Sequence, residues 1–282
     1  MFPSGGGPNS ALGTTFGRHG EAALLPWSWR IIRDEPEQVS VMLWSEMVRT
    51  PFVYKRELSL NSGESKLSIT DIVTNWGGVD LPFMWGHHPA FGAPFLDGSC
   101  ILDVPAIVVE TSKDADPSSR VPPNTKSRWP IISDKQFESL DLRFIPEAGG
   151  HTSDMLFLSG LTNGWFALTN QDLKLGFGLT WDINVFPILW VWQEFGGTKD
   201  YPWFGNTYAL GLEPCTNYVV DGANGLAGAI EKNEARVLKA GETLSVDLQA
   251  VIYEAPGSGG VEAIGQDGNV RLKHQRNYGA NT

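Results

Sequence analysis

Short apolar runs separated by glycine, proline and asparagine dominate this chain. Phe52 to Leu60 and Lys66 to Asn75 each read as a strand, and Asn61-Ser62-Gly63 between them is a hairpin signal. Leu173, Leu175, Phe177, Leu179 and Trp181 alternate strictly with other residues, the period of a half-buried strand. Trp165 to Thr169 precedes that run across Asn170-Gln171-Asp172, which predicts another hairpin. Ile188 to Gln193 and Tyr208 to Leu212 read as further strands, and Thr243 to Tyr253 closes the set after the turn Ala240-Gly241-Glu242. No segment sustains a helical period and no internal repeat is present, so the pattern predicts an all-β chain. Residues 1–15 are rich in Gly and Pro and lack periodicity. Residues 255–282 read as a polar, flexible tail behind a domain of residues 1–254. The Pro-rich stretch from Asp114 to Pro130 predicts a long connection of functional use.

Composition narrows the class. The chain has 282 residues, of which 41% are hydrophobic, enough for a sizeable core, and all-β sandwiches of this length occur as one domain. A formal charge of −11 argues against nucleic acid or an anionic membrane as partner. Two cysteines, Cys100 and Cys215, make no disulfide framework and no metal spacing. No apolar run reaches membrane-span length and no signal peptide opens the chain, so a soluble, cytoplasmic protein is expected. The 11 tryptophans fit either a large β core or flat faces on which sugars stack.

The candidate chemistry centres on Trp85-Gly86-His87-His88-Pro89-Ala90-Phe91-Gly92. Five histidines occur in the chain, and two of them are adjacent here. An imidazole exchanges protons near neutral pH. Alternation sends His87 and His88 to opposite faces, one toward a cavity and the other toward core or solvent. Consecutive histidines on a strand do not easily chelate one ion, so no metal and no cofactor are expected. A second proton-transfer group is available in Leu212-Glu213-Pro214, where a Glu at a strand end in an apolar cleft acquires a raised pKa.

With these motifs the chain resembles the aldose 1-epimerase (galactose mutarotase-like) family. The Gly-x-His-Pro-x-Phe pattern is met by Gly86-His87-His88-Pro89-Ala90-Phe91, the Glu-Pro motif by Glu213-Pro214, and an earlier His-Gly followed by Trp by His19-Gly20 and Trp27. The three occur in the family's order, and the resemblance covers roughly residues 2–253. It implies a galactose mutarotase-like β-sandwich (a supersandwich) and an enzyme, an isomerase of carbohydrate metabolism acting on a monosaccharide. His88 would be the acid at the ring oxygen and Glu213 the base at the anomeric hydroxyl. His19 would bind sugar oxygens, with Trp27, Asp182, Trp192, Gln193 and Glu194 as further candidates for sugar binding. An alternative is a non-catalytic carbohydrate-binding protein on the same fold. A hydrolase would use two carboxylates, and no second one stands near Glu213 in sequence.

Two departures matter. Members with anionic sugars carry an Arg soon after His-Gly, whereas here Glu21-Ala22-Ala23 follow. Arg18 could substitute, but a neutral hexose is favoured. Family members also carry several strands before the segment resembling Met1-Phe2-Pro3. The chain is therefore expected to lack the first strands of the fold, leaving unpaired edges.

Overall fold

The computed structural model describes residues 1–218, 225–257 and 259–273. Two antiparallel sheets carry the architecture. The larger has eight strands in the order Ser28–Glu35, Gln38–Glu46, Phe52–Asn61, Lys66–Asn75, Thr243–Glu254, Leu175–Trp181, Trp165–Asn170 and Cys100–Asp103. The smaller has six, in the order Lys126–Arg128, Val108–Thr111, Thr152–Ser159, Ile188–Phe195, Tyr208–Cys215 and Ala90–Phe91. The expected all-β sandwich is the observed one, and the Phe52/Lys66 and Trp165/Leu175 hairpins pair as their turns predict.

Period-two alternation decides what each sheet buries. From the six-stranded sheet, Val109, Leu156, Leu158, Leu189, Val191, Leu210 and Leu212 point inward. They meet Phe52, Val73, Leu102, Phe166, Leu168, Leu179 and Leu248 of the larger sheet in one buried core. The intervening residues of the small sheet, Met155, Phe157, Trp190, Trp192 and Glu213, therefore face outward on a second surface. Part of that surface is covered by the N-terminal segment and by the helix Gly225–Glu231, where Phe16, Leu226 and Ala229 pack on Phe157, Ile188 and Trp190. The helix has seven residues, too few to show a period in the sequence.

The segment beyond Ala255 differs from the tail expected for it. Val261–Ile264 and Val270–Leu272 pair as a hairpin. Val261 and Ile264 are buried against Trp165 and Ala167 on the outer face of the large sheet. The Asp103 carboxylate accepts from the Val261 backbone N–H at 2.7 Å and from Lys273, fixing the hairpin at both ends. Residues 274–282 of the expected tail lie outside the described residues. At the opposite edge of the same sheet, Ser28–Glu35 is exposed along its length, with Trp29 and Ile31 in solvent. No helix among the described residues is long and apolar enough to cross a membrane.

Because Ile264 is packed, Ile264→Ala should cost about 2 kcal/mol or more in urea unfolding, as for other buried aliphatic truncations. A cost near zero would return this segment to the status of a tail.

Candidate active site

The segment Trp85–Phe91 runs antiparallel to Tyr208–Cys215. Gly86 bridges Cys215, and Ala90 pairs with Gly211. Between these points His87 N–H donates to Pro214 O and Leu212 N–H donates to Pro89 O. This one register sets His88 directly opposite Glu213, on the same face of neighbouring strands. His88 Nε2 lies 3.2 Å from Glu213 Oε1.

His87, one residue earlier, points into the core between the sheets, as alternation requires. Its Nε2 lies 3.0 Å from Asp71 Oδ2. Asp71 is fully buried and accepts from Tyr54 Oη at 2.6 Å and from Arg56 Nε and Nη2 at 2.6 and 2.7 Å. Burial alone would push the Asp71 carboxyl up, but Arg56 foremost and then His87 hold it well below the ordinary range. Trp85 Nε1 donates to Tyr54 Oη, so the start of the segment is tied to the same cluster. Burial keeps the His87 imidazole pKa down despite Asp71 beside it.

The other chain segment at the site is His19-Gly20. Phe2 is buried edge-on to Phe52, Tyr54 and Trp85. Its carbonyl accepts from Glu21 and Ala22, and its N–H donates to His19 O. A side chain at Gly20 would meet Phe2 O at 2.4 Å, and φ there is +81°, so glycine is required. His19 itself sits at φ 63° and its ring stands edge-on to His88, centroids 5.3 Å apart. Burial, then the nearby His88, lowers the His19 pKa to about 3. It is therefore neutral, and its Nδ1 is buried with no hydrogen-bond partner among the described residues.

These groups open on a cleft of about 440 Å³ on the outer face of the small sheet. Arg18, His19, His88 and Glu213 line it with Ser112 and Asp114, over apolar walls from Met155, Phe157, Trp190, Trp192 and Trp203. Trp203 lies against Trp192 with centroids 4.9 Å apart, and Trp192 lies 6.0 Å from the His88 ring. Gly211 keeps the floor open, since a Cβ there would stand 2.7 Å from Glu213 Oε1 and 3.4 Å from His88 Cε1. Glu213 is almost wholly buried whereas His88 is about one-third exposed. Burial raises the Glu213 pKa to about 8 and lowers that of His88. Burial thus favours the uncharged form of each group, the protonated carboxyl and the neutral imidazole.

Of the eight residues expected at the site, the structure gathers His19, His88, Trp192 and Glu213 around the cleft. The other four lie elsewhere. Trp27 donates from Nε1 to Ala22 O and packs on Tyr54. Asp182 caps a turn at Asn184 and borders a separate polar hollow with Thr180 and Asp247. Gln193 faces inward and accepts from Arg120, which also binds Asp154 and so clamps the Asp114–Pro130 connection onto the sheet. Glu194 is buried under the loop 197–206, accepting from the Thr198 N–H and hydroxyl. Ser112, Asp114, Met155, Phe157, Trp190 and Trp203 also line the cleft, and no motif in the sequence singles them out. Arg18 does line the cleft, balanced in sign by Asp114. Among the described residues no three His, Cys, Asp or Glu side chains are grouped to hold a metal.

A sandwich of this layout is a galactose mutarotase-like fold, and comparison with known proteins bears on it directly. No family model matches the chain, and no curated protein matches it. Among solved structures it is similar to a candidate aldose 1-epimerase from Klebsiella pneumoniae, with 18% identity and a TM-score of 0.65, covering 89% of this chain and 60% of that one. It is also similar to galactose mutarotase-like proteins from Lactobacillus casei (17% identity, TM-score 0.57, 89% and 83% covered) and Clostridium acetobutylicum (14%, 0.58, 89% and 78%). The chain thus spans about 60% of the length of the Klebsiella protein. At these identities the likeness shows the fold.

Keeping Glu213 buried has a cost that depends on pH. Its folded pKa of about 8 exceeds the ordinary 4.5, so between these values the folded state holds a proton that the unfolded chain has lost. Stability contributed by this group therefore falls as pH rises through that window. Glu213→Gln, which cannot ionise, should have a higher Tm than the parent at pH 8. The gap should close toward pH 4.5. An equal gap at both pH values would mean that the carboxyl is not desolvated.

Proposed function

We propose that the protein is an aldose 1-epimerase, interconverting the α and β anomers of a cyclic sugar. The observation that carries the reading is the His88–Glu213 contact at 3.2 Å, a buried carboxyl against a partly exposed imidazole over an aromatic floor. Opening a hemiacetal ring needs one proton delivered and one removed on the same molecule, which this pair supplies without net change in its own charge.

The steps follow from that proton count. A bound cyclic sugar donates its anomeric hydroxyl to Glu213, which favours the ionised carboxylate and leaves the pair's proton on His88. His88 then protonates the ring oxygen as Glu213 takes the anomeric proton, and the C1–O bond breaks to give the aldehyde. The pair again holds one proton, now on the carboxyl. Rotation about C1–C2 presents the other carbonyl face. Closure reverses both transfers, with Glu213 protonating the carbonyl oxygen and His88 taking the proton of the attacking hydroxyl. His19, neutral and lining the cleft, is placed to hydrogen-bond the sugar beside His88. Trp192 and Trp203 take its C–H faces.

This reading fixes a pH profile. The rate of enzyme-driven mutarotation of fresh α-glucose or α-galactose, followed by polarimetry, should fall above about pH 8 as the pair loses its proton. Glu213→Gln should lower kcat by about 10²–10⁴-fold. A wild-type rate no faster than the spontaneous one on every aldose tried, or full activity in Glu213→Gln, would overturn it. Gly211→Ala, whose Cβ would stand 2.7 Å from Glu213 Oε1, should lower kcat by about tenfold or more, since misplaced groups cost rate steeply.

A further inference from the structure

Away from the cleft, the outer face of the eight-stranded sheet carries a polar hollow of about 460 Å³. Leu179 and Trp181 point into the core, so alternation turns Thr180, between them, to that outer face. Thr180 stands directly across from Gln249, and both border the hollow. One step beyond the last pair of this ladder, Trp181–Leu248, Asp182 comes across from Asp247. Two carboxylates thus face one hollow from neighbouring strands, an arrangement that like-charge repulsion disfavours.

No side chain offsets that repulsion. Asp247 Oδ1 accepts from the Thr70 hydroxyl at 2.6 Å, and Asp182 Oδ1 accepts from the Asn184 N–H and side-chain amide. The second oxygen of each carboxylate has no donor, and neither carboxylate has a Lys or Arg partner, among the described residues. Thr180 is 1% exposed, and its Oγ1 is buried with no hydrogen-bond partner among the described residues. Leaving a buried hydroxyl unsatisfied costs free energy that a ligand recovers. Gln266, from the turn of the 261–272 hairpin, donates from Nε2 to Trp181 O at 3.2 Å, which keeps its Oε1 available at the hollow. The available groups are therefore oxygens, two of them charged. No aromatic residue lines the hollow, so a sugar ring has no face to stack on. An all-oxygen set suits a hard divalent cation, and its irregular placement suits Ca²⁺ better than Mg²⁺, which demands an octahedron.

We infer that this hollow is a Ca²⁺ site, with Asp182 and Asp247 supplying charge and Thr180 and Gln266 supplying neutral oxygens. Two carboxylates completed by hydroxyl, amide and water oxygens need no third acidic or histidine ligand, so the site is compatible with the lack of such a triplet among the described residues. The ion ties Leu175–Trp181 and Thr243–Glu254 to the hairpin packed over them. It acts on stability, and it is independent of the His88–Glu213 pair and of the epimerase reading.

Isothermal titration with CaCl₂, together with thermal unfolding in Ca²⁺, Mg²⁺ or EGTA, tests this. The chain should bind about one Ca²⁺ with a Kd on the order of 10⁻⁴–10⁻³ M, the range of weak oxygen-ligand sites. Its Tm should rise with Ca²⁺ concentration and fall back in EGTA. Asp247→Asn, which keeps an acceptor for Thr70, should weaken binding about tenfold or more, at least what loss of a supporting partner costs a metal site. Thr180→Val should also weaken it. In EGTA the Tm of Asp247→Asn should match or exceed that of the parent, since a repulsion is relieved, and this separates loss of the site from loss of the fold. Neither heat nor a Tm change at about 10 mM free Ca²⁺ would overturn the inference. So would full binding by the Asp182→Asn/Asp247→Asn double variant, which would put the ion elsewhere, or an equal Tm rise with Mg²⁺, which would reduce the effect to charge screening.

Discussion

One backbone register holds the site together. Residues 88 and 213 are far apart in sequence, yet the bridge at Gly86–Cys215 and the pair Ala90–Gly211 leave them no arrangement except face to face. Prolines at 89 and 214 sharpen this, because each lacks an N–H and contributes only its carbonyl to the ladder. Pro89 O and Pro214 O are the acceptors in the two bonds flanking the pair. A slip of one residue would turn Glu213 into the core and His88 away from the cleft.

The same segment is pinned from both sides, and the two sides are chemically opposite. Inward, His87 meets a permanently ionised Asp71 whose charge is neutralised by Arg56. Outward, His88 meets Glu213, whose protonated form burial favours against the opposing pull of the N-terminal ammonium. Placing the compensated charge in the core and the uncompensated carboxyl at the cleft gives rigidity to one and reactivity to the other. Gly20 and Gly211 serve the arrangement by absence, the first admitting Phe2 O and the second leaving room above the floor.

Much of this was legible in the sequence, and the failures have identifiable physical causes. The Phe52–Asn75 hairpin announced itself because its strands flank an Asn-Ser-Gly turn. Thr152–Ser159 did not, since one side of it faces the core and the other an aromatic cleft, which erases the alternation. Trp192 was grouped with Gln193 and Glu194, although strand period sends Gln193 to the opposite face and the loop above covers Glu194. Asp182 and Trp27 were adjacent to strands in sequence but are occupied by turn and core contacts. The hairpin at 261–272 was hidden by the polar residues around it, though Asp267-Gly268 between two short apolar runs is a turn signal. Asp114 and Ser112 reach the cleft through a connection clamped by Arg120, a contact that no local pattern encodes.

The loop that carries Trp203 is tied down by its own hydrogen bonds. Glu194 holds Thr198, Thr198 O accepts from the Gly205 N–H, Lys199 Nζ donates to Gly196 O, and Asp200 O accepts from both Trp203 and Phe204. A wall built this way surrenders little conformational freedom when a ligand arrives, so contact energy goes to affinity instead of to ordering the protein. It also cannot reshape itself around a poor fit. Discrimination among ligands is then made by steric exclusion at that standing surface.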